Sequence, residues 1–493
     1  MALFNKLKRV TKRTVNKAGG EAFIQSPEMQ LASILLTSFA QDQFYRSSKQ
    51  TFKELIALLE KVDPLFAAKA AIYARNEFGM RSITHVLAGE LAKHVSGKDW
   101  AKDFYREIVR RPDDMLEIMA YFYGKGNTKL PNAMKKGFAA SFDKFDSYQL
   151  AKYRGEQKSV KLVDAVNLIH PSPTNRNAEA LSKLIKGELK STDTWESKLT
   201  KAGQQAASVS EKDALKAEAW KELLTTNRLG YFALLRNLRN IAEQAPQLVD
   251  LACQQLTDEH QIKKSLVMPF RYLTAVDAIK GANISTDKVS RKIETALHNA
   301  LEISLSNVPA FDGSTLVVLD DSGSMTHKSN RQINRTPIQI AAIFAAVLYK
   351  SNDADLMRFS SSASYLTPYF GDSAISIADL LVRSARAGGT NFHDIFKKAN
   401  KAYDRIIILS DMQGWMGGHS PKSAFEDYKR RTNASPFVYS FDLQGYGSLQ
   451  FPENQVFCLS GFSEKVFDIM ALLEQDRNAL VNSINKTGFS LKR

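Results

Sequence analysis

Asp320, Ser322 and Ser324 stand at alternate positions directly after the unbroken apolar run Leu316-Val317-Val318-Leu319. One carboxylate and two hydroxyls on a tight loop can turn their oxygens toward one point, a donor set that suits a hard cation such as Mg2+. Three loop residues cannot complete near-octahedral oxygen ligation, so other loops must contribute. Thr390 follows Gly388-Gly389, whose lack of side chains permits close approach, and Asp411 follows the apolar run Ile406-Ile407-Ile408-Leu409-Ser410 much as Asp320 follows the first. The bare Asp-x-Ser-x-Ser pattern has a real false-positive risk; the three-part set is far more specific. Ser and Asp ahead of a helix also serve as N-caps, but capping gives no reason for Thr390 and Asp411.

The elements that must hold these residues can be read around them. A run covered on both faces predicts a buried parallel strand over 314–320. Helix 337–351, strand 354–360, a hairpin partner at 363–368, helices 374–384 and 391–402, strand 405–410, helix 421–431, strands 436–442 and 455–459 and a last helix from 463 follow. This alternation predicts a doubly wound, mostly parallel sheet, whose ligand sites lie at the carboxyl ends of strands. The constellation resembles the metal-ion-dependent adhesion site of a von Willebrand factor A domain, with Asp320, Ser322, Ser324, Thr390 and Asp411 matching its five positions. We assign that domain to residues 306–493.

Residues 25–305 differ in character. Apolar residues recur at helical spacing, as in Phe52, Leu55, Ile56 and Leu59 or Ile83, Val86, Leu87 and Leu91, and each stripe needs a neighbouring helix to cover it. With no strand signal over this length, an array of paired helices is the economical architecture, an α-solenoid of degenerate HEAT-like kind. Residues 1–24 form a basic arm: the first 20 hold six Lys and Arg and no acid.

Charge separates the two parts. The chain of 493 residues has a formal net charge of +15. Residues 1–310 hold 47 Lys and Arg against 34 Asp and Glu, whereas residues 311–493 hold 20 against 18. The helical part is therefore where a polyanion would bind. Lys152, Arg154, Lys158 and Lys161 fall within ten residues with Tyr153 among them, offering phosphate contacts and one stacking surface; a solvated face is the plainer alternative. Cys253 and Cys458 lie far apart and give no zinc spacing, as expected of a reducing compartment. No run approaches the roughly 20 apolar residues of a membrane helix, and no secretory signal opens the chain, so a cytoplasmic location is expected.

An A domain after a long helical array resembles the TROVE family, the Ro autoantigen and its bacterial relatives. Three further segments carry that resemblance. Lys152-Tyr153-Arg154 leads on to Leu168-Ile169-His170-Pro171, Ala233-Leu234-Leu235-Arg236-Asn237-Leu238 matches a family helix, and Met268-Pro269-Phe270-Arg271 matches a family turn. The resemblance implies a ring of helices closed by the A domain. It also implies binding of small structured Y RNAs outside the ring and of single-stranded ends of misfolded RNAs in its cavity, the work of non-coding RNA quality control, with an exoribonuclease as a possible partner. Lys152, Arg154 and His170 match family positions bearing on RNA, and Lys135-Lys136 is similar to a basic family helix. The segment departs from the pattern at Glu156, where the family carries a basic residue. Arg236 and His170 can equally serve the core or its boundary.

No Gly-x-x-x-x-Gly-Lys-Ser/Thr loop or Gly-x-Ser-x-Gly elbow occurs, and Ser322 and Ser324 have no assigned base, so a non-enzymatic binder is expected. The competing reading is an adaptor whose metal takes an acidic group from a protein partner, without RNA.

Overall fold

The computed structural model describes residues 12–15, 21–24, 26–37, 48–190, 198–200, 203–204, 208–226, 229–282, 284, 287–327, 335–412, 414, 421–443, 456–460, 466–475 and 479–489. Among the described residues from 27 to 304 every regular element is a helix, from Pro27–Thr37 to Asp287–Ser304. Small residues let these helices approach. In Pro64–Asn76, Ala67, Ala68, Ala70, Ala71 and Ala74 are all buried. In Asn132–Ala140, Gly137 lies so near the 101–107 helix that a Cβ there would come within 2.5 Å of both Lys102 O and Tyr105 Cβ.

The expected basic arm is in part paired strand. β1 (Lys12–Val15) and β2 (Glu21–Ile24) form an antiparallel hairpin with Arg13 opposite Phe23. Gly19-Gly20 between two β-prone stretches is a hairpin signal that the basic composition masks.

The second unit is a six-stranded sheet of order β5-β4-β3-β6-β7-β8. β3 is Thr315–Asp320, β4 Ala354–Phe359, β5 Ala363–Leu366, β6 Arg405–Ser410, β7 Phe437–Asp442 and β8 Val456–Ser460. All neighbours are parallel except β4 and β5. β3 and β6 are buried along their whole length, as their unbroken apolar runs require. The chain leaves β3 toward β4 on one side and later returns to β6 on the other. The carboxyl ends of β3 and β6 thus flank the switch point where open α/β sheets place ligands.

The helix expected over 391–402 stops at Lys398. Tyr403 is buried, its backbone N donates to Tyr428 Oη at 3.0 Å and its hydroxyl donates to Asp355 at 2.6 Å. These anchors pull the chain out of helix before β6.

Among the described residues the helical array and the sheet unit touch at several points, two of them marked by stacked rings. At one, Phe270 stacks on Phe344 with ring centroids 3.9 Å apart, and Arg335 donates to both oxygens of Asp277 at 2.6 and 2.7 Å. At the other, the carboxyl-terminal helix Ala479–Lys486 packs against Pro27–Thr37 and Pro64–Asn76. There Trp100 stacks on Phe489 at 5.6 Å and Lys69 donates to Asn485 O at 2.6 Å. No helix among the described residues is long and apolar enough to cross a membrane.

Candidate functional site

The loop after β3 is held from two sides. Asp320 is fully buried; its Oδ1 accepts from Ser322 N at 2.9 Å and its Oδ2 from Ser410 Oγ at 2.5 Å, which ties β3 to β6. Ser410 Oγ in turn accepts from Met412 N at 2.9 Å, and Met412 has a left-handed backbone (φ 59°), turning the chain sharply just after buried Asp411. Ser322 Oγ and Ser324 Oγ lie 3.3 Å apart, the first buried and the second exposed. The Gly388-Gly389-Thr390 loop comes alongside: Gly323 N donates to Gly388 O and Ala387 N to Asp321 O, both at 2.9 Å. On its other side the loop meets the segment after β4: a Cβ at Gly388 would fall 2.7 Å from Ser361 Oγ, which accepts from Gly389 N at 2.9 Å, so a side chain there would displace Ser361. Thr390 is buried.

Asp320, Ser322, Ser324 and Asp411 therefore lie at the carboxyl ends of β3 and β6, and the loop that carries Thr390 is bonded to the β3 loop through Gly388. Ser322 precedes the Gly323–Thr326 turn of helix, yet its side chain makes no capping hydrogen bond, so capping does not account for it. Burial and the neighbouring charge of Asp411 raise the Asp320 carboxyl to about 7. Both of the Asp320 hydrogen bonds above come from uncharged donors. A pair of buried carboxylates with hydroxyls around them, and no cationic side chain among the described residues bonded to Asp320, is a donor set that fits an oxygen-seeking cation in kind. No group of three or more His, Cys, Asp and Glu side chains that could hold a metal gathers among the described residues, this loop included.

Asp321, beside the loop, plays a part that the sequence reading missed. It is fully buried, and Arg386 grips it through Nε to Oδ2 at 3.0 Å and Nη2 to Oδ1 at 3.1 Å, with the Arg386 backbone N adding a third bond at 3.2 Å. This fork pins the segment leading into Gly388. The signal was the Asp-Asp doublet, of which only one member can face the loop interior.

The basic residues divide by what they touch. Lys136, Lys152, Lys161, His170 and Arg236 are exposed, and Lys135 is half-buried. Lys152 stands over two rings, 5.7 Å from the Tyr148 centroid and 5.6 Å from that of Tyr153, and the Arg111 guanidinium lies 4.5 Å from the Tyr153 centroid. Arg154 donates to Leu189 O and sits 3.7 Å from Glu156, while Lys158 pairs with Glu117. These two are committed within the protein, although Lys158 stays partly exposed. His170 closes the Leu162–Ile169 helix with a left-handed backbone (φ 47°), its N bonded to Val166 O. His is among the residues that tolerate that conformation, and its ring points out of the core. Arg236 lies on the exposed face of Tyr231–Gln244 with Phe232, while Leu234, Leu235 and Leu238 are buried.

Beneath this surface lies a charged network without an obvious sequence signal beyond Arg110-Arg111-Pro112-Asp113-Asp114. Asp114 is fully buried and accepts from Arg75 Nη2 at 2.9 Å, Arg81 Nε at 3.1 Å and the backbone N of Arg110 and Arg111 at 3.0 and 2.9 Å, with His85 Nε2 at 3.0 Å. Burial alone would raise its carboxyl, but His85, Arg75 and Arg81 hold it well below the usual carboxylate range.

The TROVE domain matches the chain over residues 24–215 and 185–350. The RNA-binding protein RO60 of Deinococcus radiodurans is 23% identical over 480 residues, covering 87% of this chain and 88% of that protein. Telomerase protein component 1 of Rattus norvegicus is 21% identical over 349 residues, 52% of this chain but only 13% of the rat protein. The mouse protein of the same name aligns over the same shares, so this chain corresponds to a small part of those relatives. The crystal structure of the Deinococcus radiodurans RO (RSR) protein superposes with a TM-score of 0.65 at 18% identity, covering 94% of this chain and all of that one. A helix-rich body followed by a carboxyl-terminal mixed sheet is common to both, and on the domain match the chain belongs to the TROVE family.

Proposed function

We propose that this protein binds non-coding RNA. The helical array presents exposed cations to a structured, Y-like RNA, and the sheet unit is a von Willebrand A-like module whose Asp320, Ser322, Ser324, Thr390 and Asp411 hold Mg2+. The observation that carries the RNA reading is the exposed set Lys136, Lys152, Lys161, His170 and Arg236, with Tyr148 and Tyr153 beneath Lys152. Phosphate contacts position RNA, and exposed rings take its unpaired bases. The array closes into a ring through the sheet unit, a reading supported by the contacts at both junctions, Phe270 with Phe344 and Trp100 with Phe489. Single-stranded ends of misfolded RNA would enter its cavity. When bound, Mg2+ would offer an open position to an acidic ligand, making the loop a docking point for a partner such as an exoribonuclease rather than a site of chemistry. The protein acts as a binder, not an enzyme, in the cytoplasm.

The test is affinity for a small structured RNA against salt. Each phosphate that the protein neutralises adds about −0.9 to the slope of log K against log salt on a duplex, so several such pairings give a steep line. Protein that comes free of RNA and binds none at low salt would leave the protein-adaptor reading in its place.

A further inference from the structure

Between the helices Ser48–Leu59, Ser82–Leu91 and Pro112–Gly124 lies a cleft of about 460 Å3, lined by Phe52, Arg81, Ser82, His85, Glu117 and Tyr121 among others. Its size falls within the range of about 300–1,000 Å3 usual for small-ligand sites. Two rings line it, Phe52 and Tyr121, in edge contact with centroids 6.2 Å apart. Its polar wall is rigid. His85 is buried and held through Nε2 by Asp114, which leaves Nδ1 as its second ring position for hydrogen bonding. Arg81 is fixed by Asp113 and Asp114 through Nε and Nη2, with the N–H groups of Nη1 outside that fork. Tyr121 is turned by its own bond to Glu90 at 2.6 Å.

Donors and acceptors fixed beside aromatic surface are what reads the edge of an unpaired base while stacking its face. The cleft also adjoins the basic segment. Glu117, on its rim, is the partner of Lys158, and Arg111, next to Asp113, covers Tyr153. We propose that this cleft is a base pocket that receives one unpaired nucleotide of an RNA whose backbone runs along the segment 152–161. The pocket rests on the RNA-binding reading above and adds a place where sequence or strandedness is sensed.

The experiment uses the full-length protein, a ten-nucleotide single-stranded RNA and a fully paired RNA hairpin. Ala120 also lines the cleft, and Ala120→Phe fills it without changing charge; Phe52→Leu keeps the position apolar and removes a ring, and serves if the first variant folds poorly. A stacked base contributes about 1–3 kcal/mol, so each variant should bind the single strand about 5- to 150-fold more weakly while hairpin affinity stays within twofold. Single-strand affinity unchanged in a folded variant overturns the pocket alone. Failure of the wild-type protein to bind either RNA at low salt overturns the RNA reading with it.

Discussion

Asp114→Asn tests whether the buried network is what holds the cleft and the neighbouring basic surface in shape. The substitution keeps side-chain volume but removes the charge that Arg75 and Arg81 share and replaces one accepting oxygen by a donor. Two of the bonds it disrupts come from backbone N–H groups at the start of the Pro112–Gly124 helix, those of Arg110 and Arg111. Arg75 is only 8% exposed, so its guanidinium would stay buried beside a neutral amide. Breaking a buried pair by removing one partner costs about 3–5 kcal/mol, and we expect that loss in chemical denaturation at pH 7. The pH dependence gives a second reading. Asp114 is held below its unfolded value, so the unfolded chain binds the extra proton; the stabilisation is complete above a pH of about 4 and fades as pH falls through the lower folded value. Wild type should therefore lose more stability than the variant between pH 5 and pH 3. An unfolding free energy for Asp114→Asn within about 1 kcal/mol of wild type at pH 7, with parallel pH profiles, would refute the network's role.

Other perturbations give separate outcomes. Asp320→Ala should abolish Mg2+ uptake in calorimetry, and wild-type uptake by the variant would remove the metal assignment. Lys152→Gln with Lys161→Gln should lower the slope of log K against log salt by about 1 for each phosphate these lysines neutralise, without changing the unfolding midpoint; an unchanged slope would move the interface elsewhere. Arg154→Gln should behave differently, reducing stability through its bond to Leu189 O, so a pure affinity effect there would contradict its structural role. Gly137→Ala must push the Lys135–Lys136 helix off the 101–107 helix, because backbone and Cβ atoms lie 2.5 Å from the added carbon. Overpacking of this kind costs about 1–3 kcal/mol or more, and a neutral effect on the thermal midpoint would show that the helices are not so closely seated.

Much of the loop after β3 was legible because strand ends and their polar residues are local in sequence. Each apolar run of β3 and β6 predicts its strand to within a residue, and the loop residues follow. What was not local was hidden. The early end of the Phe392–Lys398 helix is decided by Tyr428 and Asp355 acting on Tyr403 from other elements. The grip of Arg386 on Asp321 links residues 65 apart. On the basic surface, composition could count lysines but not assign them. Lys158 and Lys152 look alike in the sequence; only the fold brings Glu117 to one and leaves the other over Tyr148 and Tyr153. The cleft was invisible for the same reason, since Phe52, His85 and Tyr121 come from three helices.

The central claim is that RNA lies across the exposed cations and rings of the helical array. Ultraviolet cross-linking of a uridine-containing structured RNA to the full-length protein, with the linked peptides identified by mass spectrometry, tests it most directly. The account predicts cross-links in the peptides spanning Tyr148, Tyr153 and His170. Cross-links confined to the sheet unit, residues 315–460, or none at a concentration where RNA is bound, would contradict it.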